Sequence, residues 1–159
     1  MTIVLTKTEF SAAVDGANKR FITAATGRWA GHRDPEQTEI KRMTNDIIAV
    51  MAEIAVAKAL GVFFVPTFNT FHKQPDIEPD IEVRSTPEED NSLLIRDNDD
   101  LDRKFVLVIV SDLSCRIAGW CYGYERDDLG RIRNPNGMGA AHFVPQFNLR
   151  PFDELLFGF

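Results

Sequence analysis

A chain of 159 residues is the size of one domain, and it can bury a core without disulfides or a structural metal. Its composition, 44% hydrophobic and 26% charged, is that of an ordinary globular protein, and no apolar run reaches the roughly 18 residues of a membrane-spanning helix. The formal net charge of -6 argues against sequence-independent nucleic-acid binding as the main task, because phosphate contacts need Lys and Arg.

In chain order, helical spacing of Phe10, Val14, Ala17, Phe21 and Ala24 predicts a helix over 8–30, capped by Thr8. Gly27 to Gln37 is a polar break. A second, stronger helix starts near Thr38 or Thr44 and stops at Gly61. The pattern then turns aromatic and β-branched (VFFVPTFNTF), broken by Pro66. Residues 81–86 (IEVRST) alternate as a strand does, and 92–96 (SLLIR) is a short apolar run. Residues 104–111 (KFVLVIVS) form the clearest strand, apolar enough to be buried on both faces at the centre of a sheet. Another strand is expected over 116–124, a loop over 125–139, a short strand over 142–145 and a helical turn around 151–156. Helices followed by a block of strands give an α+β plan, with N-terminal helices packed on a mainly antiparallel or mixed central sheet. The expected organisation is one domain, with a helical extension to residue 40, a core over 41–125 and a terminal loop, strand and turn over 126–159.

Cys115 and Cys121 suit neither a disulfide framework nor a zinc site, so a reduced, cytoplasmic setting is expected. The stretch MTIVLTKTEF carries Glu9 and no long apolar block, and is not expected to be a secretory signal. His32, His72 and His142 lie far apart, as scattered surface or core residues do. The glycine-rich NPNGMGAAH lacks the ending of a phosphate loop, and Trp120 reads as core.

Charge is unevenly placed. From Lys19 to Arg42, six basic residues face three acidic ones, a local charge of +3. From Asp76 to Asp102, eleven acids face two arginines, a local charge of -9. Such a chain suits contact with phosphates on one surface and collection of cations on another. Arg28, Arg33, Lys41 and Arg42 are the candidates for phosphate contact. Glu88 to Asp90 and Asp97 to Asp102 read as solvated turns.

Two local patterns carry the chemistry. The helix around DIIAVMAEIAVAKALGV is apolar nearly all round, yet Glu53 sits in its middle. A buried carboxylate there must be partnered, metal-bound or protonated; the alternative is an exposed Glu53 sharing a narrow polar strip with Lys58. In PDIEPDIEVRST, Asp80, Glu82 and Arg84 share one strand face, while Asp76 lies across a turn favoured by Pro79. Close carboxylates repel unless a cation neutralises them. Mg2+ takes one or two carboxylates and leaves room for phosphate oxygens, and an adjacent cation can stabilise the attacked phosphate. A short hairpin brings in Asp76; a regular strand brings in Asp80.

Glu53, then Pro75-Asp76, then Glu82-Val83-Arg84 resembles the PD-(D/E)XK nuclease superfamily, which carries an acid on a helix, an Asp in a hairpin and (D/E)-x-K on the next strand. The runs EIAVAKALGV, PDIEPDIEVRST, LLIRDND and KFVLVIV look like small phage-encoded proteins of that superfamily type. The resemblance implies a restriction-endonuclease-like core and metal-dependent cleavage of DNA in a bacterial cytoplasm. It implies Asp76 (or Asp80), Glu82 and the Val83 carbonyl as ligands of Mg2+ or Mn2+, with Glu53 on a second cation or a metal-bound water. Arg84 stands in place of Lys and, unlike Lys, cannot act as a base; its catalytic role under the resemblance would be to stabilise the transition state or clamp a phosphate, with metal-bound hydroxide as the nucleophile. That departure supports a second reading, a non-catalytic nuclease-fold module docking on DNA or on a phage or host protein. A second copy of the chain is a further partner the resemblance suggests.

Overall fold

The first helix opens on a reciprocal cap. Thr6 Oγ1 accepts the Glu9 amide at 3.2 Å, and Glu9 Oε2 accepts the Thr6 amide at 2.6 Å. In the computed structural model, which describes residues 1–26, 38–66, 74–133 and 141–156, α1 therefore runs Lys7–Thr26 with Thr6, rather than Thr8, before it. The second helix, α2, spans Glu39–Leu60. Of its two candidate caps the chain uses Thr38, whose side chain accepts the Lys41 amide at 3.2 Å. Gly61 ends it in the left-handed region at φ 70°, its amide closing on Ala57 and Lys58. A Cβ at Gly61 would meet no atom within 4 Å, so Gly61→Ala isolates the backbone cost. We expect it to lower the unfolding free energy by about 1 kcal/mol in urea titration.

Among the described residues, seven strands follow or flank these helices: β1 Thr2–Val4, β2 Ile81–Thr86, β3 Leu93–Arg96, β4 Lys104–Ser111, β5 Ser114–Tyr122, β6 Arg131–Arg133 and β7 Ala141–Val144. Short helical pieces, α3 Arg126–Leu129 and α4 Asp153–Leu156, complete the described chain. The class is α+β, as the order of elements predicts. The strands form two sheets rather than one. The larger has the order β1-β5-β4-β2, with β2 parallel to β4 and the other pairs antiparallel. The smaller, β3-β7-β6, is antiparallel throughout.

The apolar run of β4 explains the arrangement. Val106, Val108 and Val110 belong to one core, with Ala52, Ala55 and Val56 of α2. Phe105, Leu107 and Ile109 belong to a second core, with Leu93, Ile95 and Val144 of the smaller sheet. Strand β4 is thus buried on both faces between two cores, as its composition predicts.

Other expectations are corrected. The first residues add β1 to the larger sheet, so the N-terminal part is more than a helical extension. Residues 81–86 do not alternate between core and solvent: Ile81, Glu82 and Val83 are all buried. Ile81 and Val83 join the α2 core, while Glu82 and Arg84, on the opposite face, are covered by Arg103, Asp99 and Phe105. The expected loop at 125–139 begins as α3 and β6, the latter paired antiparallel with β7. Among the described residues no helix is long and apolar enough to cross a membrane.

Candidate acidic centre

Glu53 lies in the buried middle of α2 and is 2% exposed. Arg20, on α1, donates Nη1 to Oε1 at 2.8 Å and Nη2 to Oε2 at 2.7 Å. This bidentate pair answers the requirement that a carboxylate at that position be partnered. Lys58 instead faces outward, on Glu9 at 3.0 Å, so the shared polar strip does not form. Arg20 follows the fully buried Ala13 and Ala17 at helical spacing, which was a signal available in the sequence.

The turn before β2 selects between the two aspartates. Ile77 and Ile81 exchange backbone hydrogen bonds of 3.1 and 3.0 Å, closing a tight loop over Glu78, Pro79 and Asp80. Asp76 is left facing the strand, and its Oδ2 accepts the Val83 amide at 2.8 Å. Asp80 is carried away onto Lys104 Nζ, at 3.0 and 2.8 Å.

Glu82 is 6% exposed and lies between two guanidiniums. Arg103 Nη1 binds its Oε1 closely, and Arg84 Nη1 reaches Oε2 at 3.2 Å. Arg84 donates its other terminal nitrogen to Asp99 at 2.9 Å and stands over the Phe105 ring at 5.2 Å. Asp99 also accepts the Arg96 amide at 2.8 Å, and it is only 8% exposed. This corrects its placement in a solvated turn. Nothing local distinguishes Asp99 from its acidic neighbours, and only the tertiary fold does. Arg103, likewise buried, also reaches Asp100 at 3.1 Å.

The carboxylates of Glu53, Asp76 and Glu82 lie in one another's field. Burial, and then the charge of Glu53, push Asp76 up to about 6 against the Val83 hydrogen bond. Burial also raises Glu53 and Glu82, opposed by Arg20 and by Arg84 and Arg103 respectively. For Arg84, burial would lower the pKa, but Asp99 and Glu82 more than reverse this, so it stays charged. Four carboxylates, Glu53, Asp76, Glu82 and Asp99, thus meet three guanidiniums, Arg20, Arg84 and Arg103. Among the described residues, no guanidinium is bonded to Asp76, unlike the other three. A cavity of about 280 Å3 opens beside it, lined by Phe63, Phe64, Val65, Pro75, Asp76 and Glu78 among others.

Mg2+ and Mn2+ need carboxylate oxygens free to turn toward the ion. Here the oxygens of Glu53 and Glu82 are committed to arginine, and among the described residues no three His, Cys, Asp or Glu side chains are grouped to hold a metal. The side chains as arranged do not fit a divalent ion.

Of the phosphate candidates, the two among the described residues, Lys41 and Arg42, are not at this centre. Lys41 is exposed and Arg42 pairs with Glu39 at 2.6 Å, both about 17 Å along α2 from Glu53. Arg28 and Arg33, with Trp29, His32 and His72, lie outside the described residues, as does most of the glycine-rich segment. Trp120 is core, its indole N–H on the Pro151 carbonyl at 3.2 Å. Compared with protein-family models, curated proteins and solved structures, the chain matches none.

Proposed function

We propose that this chain is a restriction-endonuclease-like domain that works by docking on a protein partner rather than by cutting DNA. The observation that carries this reading is the fixed Arg84. Its guanidinium is held by Glu82 and Asp99 where the superfamily it resembles has a lysine, and it cannot give up a proton to become a base. Support for the architecture comes from the order of Glu53 on a helix, Asp76 in a turn and Glu82-Val83-Arg84 on a strand. The net charge of -6 and the acidic middle of the chain favour a protein partner over nucleic acid. The same resemblance suggests a phage or prophage gene and a bacterial cytoplasm.

A second reading, a Mg2+- or Mn2+-dependent endodeoxyribonuclease, is favoured by one observation. Three carboxylates, Glu53 and Glu82 buried and Asp76 half-buried, raise one another's pKa, and such arrangements concentrate at functional sites. It requires Arg84 and Arg103 to leave Glu82 first. The two readings separate in one assay. Purified protein with Mg2+ or Mn2+ is incubated with duplex, single-stranded and branched DNA, and metal binding is followed by calorimetry. We expect intact DNA and no binding heat. Cleavage that Glu82→Ala abolishes would overturn the docking reading in favour of the nuclease.

A further inference from the structure

Resting on the docking reading, we infer that the cavity beside Asp76 receives a basic side chain, an arginine or lysine, presented by a protein partner. The centre is built on a repeated device in which a buried carboxylate is met by a guanidinium. Glu53 has Arg20, Glu82 has Arg103 and Arg84, and Asp99 has Arg84. Asp76 breaks the pattern. One of its oxygens takes the Val83 amide, and no donor among the described residues reaches the other. It also lines a cavity.

The walls of that cavity suit a long cationic side chain. Glu78 is exposed at the rim and adds a second negative charge. Phe63 is 93% exposed, an unusual placement for a ring that would otherwise bury itself, and a cation over such a face is attracted by its quadrupole. Val62, Phe64 and Val65 offer apolar surface to an aliphatic stem whose charged head reaches Asp76. A phosphate would meet Asp76 and Glu78 and be repelled. A divalent ion would find one oxygen with no hydrogen-bond donor, where it needs several oxygens.

The test uses the full chain, labelled with 15N, and four probes: acetyl-arginine amide, acetyl-lysine amide, acetyl-norleucine amide and MgCl2. The expected result is a saturable shift of the Phe63, Gln74, Asp76 and Glu78 amides with the two cationic amides, and none with norleucine or Mg2+. Asp76→Asn should weaken the arginine probe about tenfold, the equivalent of one charge-assisted hydrogen bond. Phe63→Ala, at an exposed position that does not endanger folding, should weaken it about threefold. No saturable shift with either cationic amide overturns the inference, as does equal response to norleucine, or a Mg2+ response at these amides. Intact DNA in the cleavage assay together with a failed titration would remove this inference and leave the docking reading standing. Metal-dependent cleavage would remove the reading itself.

Discussion

Arg20→Met is expected to lower the unfolding free energy by about 3–5 kcal/mol, the largest effect of any single change at the centre. The reason is the partner left behind. Glu53 is 2% exposed, sits among Ala52, Ile54 and Ala57 of α2, and both its oxygens rest on Arg20. Without the guanidinium the carboxylate must stay buried and uncompensated, take up a proton, or drag α2 from the sheet. Replacing both residues tests this account. Arg20→Met with Glu53→Leu removes both charges, and a buried ion pair exchanged for apolar groups of similar volume is often close to neutral. The double variant should therefore recover most of the loss. Denaturant unfolding of the four proteins completes a cycle. A single-variant cost below about 1 kcal/mol, or a double variant as weak as the single, would show that Arg20 does not compensate Glu53.

Asp76→Asn is expected to act in the opposite direction and stabilise the protein at neutral pH. The Asp76 carboxyl is pushed up to about 6 in the folded chain, above its ordinary value of 3.8. The folded state therefore holds the proton more tightly than the unfolded state. Its contribution to stability is fully present below the unfolded value and is lost as pH rises through about 6. Above that pH the half-buried charge costs at most on the order of 3 kcal/mol, and Asn removes the cost while its side-chain oxygen still accepts the Val83 amide. The gain should approach that size at pH 7.5 and shrink toward nothing near pH 4, where both side chains are neutral. Urea unfolding of both proteins across that range measures it. An Asn variant less stable at pH 7.5, or a gain that does not shrink in acid, would show that the Asp76 charge is compensated in the folded chain.

What the sequence made legible follows the range of the interactions concerned. Helix α2 and strand β4 are long and strongly patterned, and both formed where their periodicity predicts. Strands β1 and β6 have three residues each, too few for a pattern, and exist because a partner strand is alongside. The division into two sheets was hidden because strand pairing is non-local. The parallel alignment of β2 with β4 joins residues that no hairpin connects.

At the centre, Glu53, Asp76, Glu82 and Arg84 stood out because each breaks or marks a local pattern. Their partners did not. Arg20 is 33 residues from Glu53, Arg103 is 21 from Glu82 and Asp99 is 15 from Arg84. Spacing could offer a metal as the neutralising cation, since two like charges close together need one. It could not show that arginines from distant segments were already there. The choice between Asp76 and Asp80 was equally out of reach, because it depends on how tightly Ile77 and Ile81 close their turn.

Strand β4 has one more consequence. Because it faces two cores, it forms a party wall between the helical half of the molecule and the smaller sheet. Neither half can come apart without stripping one side of the same six buried residues, Phe105 to Val110. The acidic centre is anchored to that wall, with Glu82 opposite Phe105 in the ladder and Arg84 over the Phe105 ring. Anything that tightens the centre therefore braces both rooms of the house at once.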